Sequence, residues 1–242
     1  MDPYQEIDII HMKKSGIINK VLAVTTEAPL TICINNDMFD QIMRTPGDEK
    51  AQVAGLLFCN HIISNSEDIE NFAITHSRNG DIVNVQIRNK QMECASDKKI
   101  NQPLQWKKIS LTDILDCFNA LSRFQPIRNI TRSTHAAILF DSLCNPITAK
   151  EDVGRHNAID KVIGQALIDH TLNRAYVLVL SSRVSHELIS KVVYTPVNCI
   201  LSVSRPTSLA VDIARQDDIS LACLSKDDGV LVFSGDRRFL MQ

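Results

Sequence analysis

The chain lacks an excess of charge of either sign: its 242 residues carry 26 lysines and arginines against 28 aspartates and glutamates. A net charge of −2 leaves no electrostatic footprint for nucleic acid or an anionic membrane, so any anion site must be local. No run approaches the ~20 apolar residues that span a bilayer. The opening Met1-Asp-Pro-Tyr-Gln-Glu-Ile-Asp8 has neither the basic nor the apolar region of a secretory signal. These absences predict a cytoplasmic protein without nucleic-acid or membrane partners.

Several chemical signatures are missing too. The seven cysteines, at 33, 59, 94, 117, 144, 199 and 223, include no Cys-x-x-Cys pair, which argues against a structural zinc site or a dithiol redox motif. No Gly-x-Gly-x-x-Gly or Walker loop occurs. No histidine pair has the helical spacing of metal ligands, and the zinc deaminase signature His-x-Glu with Pro-Cys-x-x-Cys is absent, so no metal site is expected. Most of the cysteines sit in apolar runs, as buried thiols do in a reducing compartment. Cys94 differs: its neighbours are polar and Lys98 and Lys99 follow, which suits an exposed, partly ionised thiol.

Apolar runs over 17–24 and 29–35, the turn residues Asn35, Asn36 and Asp37, and a further run over 38–43 predict a strand meander. Thr45 ahead of Pro46 predicts a helix start, with Val53, Leu56, Leu57 and Ile62 along about four turns. Runs over 69–77 and 82–88 flank the hairpin signal Asn79-Gly80. Residues 89–109 are polar and aperiodic. They read as a loop that holds Cys94 and closes a small N-terminal α+β domain, 1–109, ahead of an α/β domain, 110–242.

The second half opens on Ser110-Leu-Thr-Asp113, a short-armed capping box, followed by Leu111, Ile114, Leu115, Phe118, Leu121 and Phe124 at helical spacing. Strands over 135–141, 176–181 and 199–204 then alternate with helices over 154–170, 184–194 and 207–215. This alternation predicts an α/β fold with a mostly parallel sheet. Two last strands, 219–225 and 229–234, are joined by a link too short for a crossover and should form an antiparallel hairpin.

Ligands of open α/β sheets collect where strands end and helices begin. Three such junctions here carry an arginine each and, between them, hydroxyls and N–H donors: Ser181-Ser182-Arg183, Ser204-Arg205-Pro206-Thr207-Ser208, and Gly154-Arg155-His156. A phosphorylated ligand fits that set, although serine and threonine are also the ordinary residues of helix starts. His135 opens an apolar strand and suits either a ligand contact or a hydrogen-bonded structural histidine. The densest segment is Glu151 to Lys161. Its first seven residues make the strongest case for ligand contact, while Asp160 and Lys161 suit packing or surface, and His186 and Glu187 a solvated helix face.

Glu151 to Lys161 strongly resembles the FdhD/NarQ family of formate dehydrogenase accessory sulfurtransferases. Other segments agree in order: Glu27-Ala-Pro-Leu-Thr31, Arg44-Thr-Pro-Gly-Asp48 with Val53-Ala-Gly-Leu-Leu57, Thr134-His-Ala-Ala137, Ser182-Arg-Val-Ser185 and Pro206-Thr-Ser-Leu-Ala210. The resemblance implies a larger domain of cytidine-deaminase-like α/β fold without the zinc, and a homodimer. It implies a persulfide sulfur carrier that takes sulfur from a cysteine desulfurase and binds molybdenum bis(molybdopterin guanine dinucleotide). The sulfur is passed on so that formate dehydrogenase becomes active, and a GDP-like nucleotide would mimic the cofactor's ends.

Cofactor contacts are then expected from His135, Arg155, His156, Ser182, Arg183 and Arg205. A turn between the last strands, Leu224, Ser225, Lys226, Asp227, Asp228 and Gly229, matches the family's glycine-rich nucleotide turn. Here Asp227 and Asp228 would repel a phosphate but could accept hydrogen bonds from a guanine edge. The family's loop usually reads Cys-Gly-x-Cys-Gly; this chain has Glu93-Cys94-Ala95-Ser96-Asp97, leaving Cys94 as persulfide carrier. Thr-Gly-Gly before the histidine is likewise Thr131-Arg132-Ser133. The missing second cysteine motivates an alternative expectation, a chaperone that binds the cofactor or a nucleotide without transferring sulfur.

Overall fold

The computed structural model describes residues 1–77, 80–88, 108–227 and 229–240. Within them lie a two-stranded hairpin, a four-stranded sheet and a six-stranded sheet. The hairpin pairs β1 (Tyr4–Lys13) with β2 (Gly16–Thr25) over their full lengths. β1 is absent from the expected meander, because Gln5, Glu6 and Asp8 interrupt its apolar residues and most of it stays exposed. β3 (Ala28–Ile34) and β4 (Asp37–Arg44) follow the expected pattern. Asn35 and Asn36 link them at φ 52° and 75°, the left-handed geometry of a tight hairpin turn.

β5 (Ile69–Thr75) and β6 (Asp81–Ile87) form the expected antiparallel pair, and β6 lies parallel to β3 in the order β4-β3-β6-β5. The buried side chains Leu30, Ile32, Val83 and Val85 give this sheet its inner face.

Between the two halves of that sheet runs α1 (Glu49–Cys59), three turns rather than four, and it begins later than Thr45 and Pro46 suggest. Its N-cap is Asp48, at φ 60°, with no side-chain cap. The Thr45 hydroxyl is committed elsewhere, accepting from the Val153 N–H at 3.0 Å. Tertiary bonding thus overrides the local capping signal.

The second half supplies α2 (Leu111–Ala120), α3 (Pro126–Thr131), α4 (Arg155–Ile168), α5 (His186–Val192) and α6 (Ser208–Gln216). Ser110 and Asp113 form the expected reciprocal cap on α2. The six strands are β7 (His135–Phe140), β8 (Pro146–Asp152), β9 (Val177–Leu180), β10 (Cys199–Ser202), β11 (Ser220–Leu224) and β12 (Val230–Ser234). Their order is β12-β11-β10-β9-β7-β8.

The expected α/β class is present, but the mostly parallel arrangement is confined to β9, β10 and β11. β7 runs antiparallel to both β9 and β8, and β12 is antiparallel to β11. The cause is β8, which the sequence pattern does not announce. The turn at Asp141 to Asn145 reverses the chain at once, with the Asp141 N–H donating to the Asn145 carbonyl at 2.9 Å, so β7 has no crossover helix.

Side chains alternate across this sheet. Ala137, Leu139, Leu178, Leu180 and Ile200 join α4, α1 and the four-stranded sheet in one apolar core. Ile138, Phe140, Val177, Val179 and Leu201 pack with Ile114 and Phe118 of α2 on the other face.

The first core depends on how closely α1 and α4 cross. A Cβ on Gly55 would sit 1.8 Å from the Asp160 carbonyl oxygen, and one on Gly164 1.8 Å from that of Ala51. Both obstacles are backbone, so neither can rotate away. Gly164→Ala should therefore lower stability by about 3 kcal/mol or more through forced helix separation; a denaturant midpoint within error of the parent would contradict this crossing.

Candidate functional site

The register of the six-stranded sheet gathers one group of loops. β9, β10 and β11 end at the edge where antiparallel β7 begins and β8 finishes, and His135 lies opposite Asp152. The Ala136 N–H donates to Ser181 Oγ at 2.8 Å and the Ser181 N–H returns a bond to the Ala136 carbonyl at 3.0 Å. This stitch places the β9 exit beside His135. Further along the edge, the Val203 N–H donates to the Leu180 carbonyl and the Thr207 N–H to the Val184 carbonyl, both at 3.0 Å.

Much of the segment Glu151 to Lys161 serves structure. Glu151 lies in β8, not at a helix start, and its carboxylate accepts from the Ile127 and Arg128 N–H groups at 2.8 and 3.0 Å and from the Thr134 hydroxyl at 2.7 Å. It thereby satisfies free donors at the start of α3. Asp152 is fully buried, 2.7 Å from the equally buried Lys161 ammonium. Its oxygens also accept from the N–H groups of Thr45 and Gly154 and from the Asn157 amide, at 3.0, 2.8 and 2.9 Å.

Lys161 donates to the Thr45 carbonyl and Asn157 to that of Met43, each at 2.8 Å. Glu151, Asp152 and Asn157 are thus occupied internally, correcting the expectation that this stretch faces a ligand. Lys161 and Asp160 belong to packing: Asp160 is held by Lys191 at 2.7 Å, and burial raises its carboxyl to about 6 against the opposing pull of that lysine.

Two residues of the segment remain turned to the rim. Arg155 opens α4, and its buried Nε has no hydrogen-bond partner among the described residues. His156 Nε2 sits 2.8 Å from Glu187 Oε2 of α5, a glutamate that is exposed as expected and pairs with the ring by proximity alone. The two histidines are biased towards the neutral form. Burial lowers the His156 pKa, with Arg155 adding to it and Glu187 opposing. Burial also lowers that of His135, assisted by Arg128 and Arg155 and opposed by Asp152. His135 Nδ1 is buried without a partner among the described residues. An unfilled imidazole nitrogen beside two guanidiniums suits an anionic ligand with acceptor oxygens.

The other predicted residues distribute along the same edge. Ser182 is buried behind exposed Arg183, and its hydroxyl donates to the Arg183 carbonyl at 3.1 Å. Arg205 is exposed at the β10 exit and acts on Cys223, whose pKa burial raises. The turn after β11 is closed by the Ser225 N–H donating to the Gly229 carbonyl at 2.8 Å, with Lys226 and Asp227 exposed and Leu224 half-buried. Asp228 and the persulfide candidate Cys94 lie outside the described residues.

β11 stands three positions from β7 in the strand order, roughly 14 Å at ordinary strand spacing. The edge therefore brings His135, Arg155 and His156 together and sets the Leu224 to Gly229 turn apart, an arrangement for an extended ligand. Sequence reasoning missed Arg128, whose charge reaches His135. The available signal was Gln125 followed by Pro126, a helix start that α3 uses.

Two measurements test this geometry. Asp152→Asn leaves Lys161 buried without its carboxylate and should cost about 3–5 kcal/mol in denaturant unfolding; a loss below about 1 kcal/mol would show that the pair is unimportant. His135 should titrate below the ordinary histidine value of about 6.5 in an NMR pH series, and Arg155→Gln should move its midpoint upward. The unfolded chain takes up that proton more readily, so the linked stability is present above about 6.5 and is lost as pH falls from there through the lower folded value. A His135 midpoint at or above that value would contradict the cationic surroundings.

Comparison with known proteins covers nearly the whole chain. The model of the FdhD/NarQ family matches residues 25–240. The chain is 31% identical to a sulfur carrier protein FdhD of Picrophilus torridus, over 90% of this chain and 92% of that one. It is 28% identical to the FdhD of Streptomyces coelicolor, over 97% and 95%. A solved structure from Desulfotalea psychrophila, described as a candidate formate dehydrogenase accessory protein, superposes with a TM-score of 0.82 at 23% identity, covering 98% of this chain and 99% of that one. That likeness carries the fold, and the family model carries membership: the chain belongs to the FdhD/NarQ family.

Proposed function

We propose that this protein is a cytoplasmic, homodimeric sulfur carrier in the maturation of formate dehydrogenase. In this reading Cys94 takes sulfur from a cysteine desulfurase and delivers it to molybdenum bis(molybdopterin guanine dinucleotide), the substrate held at the strand-end edge. The observation that carries the proposal is a family match spanning 25–240 combined with an edge where His135 Nδ1 and Arg155 Nε have no partner among the described residues and further arginines stand nearby. Relatives named sulfur carriers support the chemistry.

The first transfer balances without an added oxidant. The Cys94 thiolate attacks the outer sulfur of the donor's persulfide, the donor's S–S bond breaks, and the donor cysteine departs as a thiolate. Cys94 then bears the persulfide, and its outer sulfur, still at the sulfane level, is what it hands on. Lys98 and Lys99 favour the thiolate in sequence terms.

At the edge, Arg155, Arg183 and Arg205 supply charge for phosphate oxygens. Neutral His135 and the Ser182 neighbourhood orient the same ligand near the β7 start. The turn from Leu224 to Gly229, separated by two intervening strands, suits a guanine end, with Asp227 accepting from the base's N–H groups. GDP is the simplest mimic of that end.

A second reading, cofactor binding without sulfur transfer, is favoured by one observation: the sequence Glu93-Cys94-Ala95-Ser96-Asp97 holds a single cysteine. The two separate cleanly. Incubation with a cysteine desulfurase and cysteine should add one sulfur to the peptide containing Cys94, read by intact mass and peptide mapping. In a strain lacking its own carrier, the parent should restore formate dehydrogenase activity and Cys94→Ala should not. Restoration by Cys94→Ala, or no added sulfur, would overturn sulfur transfer in favour of binding alone.

A further inference from the structure

The β1–β2 hairpin carries eight of the twenty large apolar side chains that stand exposed among the described residues, although it supplies only two ten-residue strands. Ile10, Met12, Ile17 and Val21 share one face and are between 56% and 76% exposed; Ile7, Ile18 and Leu22 lie exposed on the other. The body grips the hairpin at its foot, where the Thr25 hydroxyl donates to that of Thr131 at 2.8 Å. A lone two-stranded hairpin is marginally stable in water, and an apolar concentration of this kind marks a contact surface.

One edge of the hairpin is open. The Thr26 N–H donates to the Pro3 carbonyl at 2.9 Å, and the register runs from Tyr4↔Thr25 to Lys13↔Gly16 without a shift. Bonded and non-bonded pairs alternate along an antiparallel ladder, so the odd positions of β1 bond to β2. Its even positions, Glu6, Asp8, Ile10 and Met12, therefore turn their N–H and C=O groups outward. Among the described residues no third strand adjoins that edge. Neither a proline nor a bulge interrupts β1, so the edge can accept another strand.

The charges along β1 select the strand that fits. Glu6 and Asp8 make its start acidic, while Lys13 and the adjoining Lys14 make its end basic. Such a strand is complementary to its own reversed copy. With Ile10 on a two-fold axis, Ile10 faces Ile10, Glu6 faces the partner's Lys14, and Asp8 lies diagonal to that same lysine. An axis at Asp8 would instead set two carboxylates against each other. β2 carries Lys20 as its one charge and has no such polarity.

We propose that the hairpin is the contact arm of a dimer: β1 pairs antiparallel with β1 of a second copy of this chain, across a two-fold axis at Ile10. The result is one four-stranded sheet shared by two copies, in which each open edge closes the other. Two ten-residue strands from each copy match the roughly 20–30 residues a side of a standard interface. β1, and all of β2 except Thr25, lie ahead of the family match. The inference rests on the homodimer of the functional reading above, to which it gives a contact surface, and needs nothing from Cys94 or the strand-end edge.

Sedimentation velocity on the full chain, from submicromolar to tens of micromolar, tests this. The parent should dimerise. Ile10→Pro removes an outward N–H and no bond to β2, and should raise the dimer Kd roughly a hundredfold or more. Glu6→Lys and Lys14→Glu, both exposed changes, should each weaken the dimer by roughly tenfold, because each places like charges together twice across the axis. The double swap Glu6→Lys with Lys14→Glu should restore it. A parent that stays monomeric overturns the arm and the homodimer alike, while sulfur loading of Cys94 remains a separate measurement. A dimer whose Kd is unchanged by Ile10→Pro, or a double swap that fails to recover, overturns the arm and leaves the homodimer standing.

Discussion

The buried pair of Asp152 and Lys161 is the constraint on which the rest of the site depends. One carboxylate, fully removed from water, meets an ammonium at 2.7 Å and three N–H donors from the β4–α1 link, the β8–α4 link and α4 itself. Such a pair repays its desolvation only when its remaining hydrogen-bonding capacity is filled, and here it is filled by the nearby Gly154 and Asn157 together with Thr45, 107 positions away in sequence. The Thr45 loop is thereby fixed against the start of α4. Arg155 and His156, the next residues, inherit their direction from that clasp.

The close crossing of α1 and α4 works with the clasp. Gly55 and Gly164 let the backbones touch, which brings Thr45 within reach of Asp152, Val153 and Lys161. The result is a rigid support beneath a rim whose own side chains are poorly satisfied. The polar groups of the clasp itself, on Asp152, Asn157 and Lys161, are paired, whereas His135 Nδ1 and Arg155 Nε have no partner among the described residues. That contrast is what a site built to receive acceptor oxygens would show, because donors held ready by packing need little reordering when a ligand arrives.

Legibility in the sequence followed the range of the interactions. Local signals were read well: the Asn35-Asn36 turn, the reciprocal cap of Ser110 and Asp113, the alternation in β6, and the helices that open at Gly154 and Thr207. β1 and β8 escaped because their side chains are mixed in polarity and their pairing, not their composition, makes them strands. Thr45 and Pro46 misled because a capping residue was claimed by Val153 across the fold. Glu151 was read as facing a ligand for the same kind of reason: a carboxylate beside a helix start is as useful to a second helix, α3, as to a bound anion.

The sequence by itself determined the alternating elements, the strand-end arginines and the family, because these rest on periodicity, turn chemistry and motifs that need no partner. Only the tertiary structure decided which charges of Glu151 to Lys161 are spent inside and which stay available. Hydrogen bonds and ion pairs between distant segments compete for the same polar atoms that a ligand would use, and that competition is settled by packing alone. It assigns Asp152, Asn157 and Lys161 to the clasp and leaves Arg155 on the rim with its Nε unpaired among the described residues.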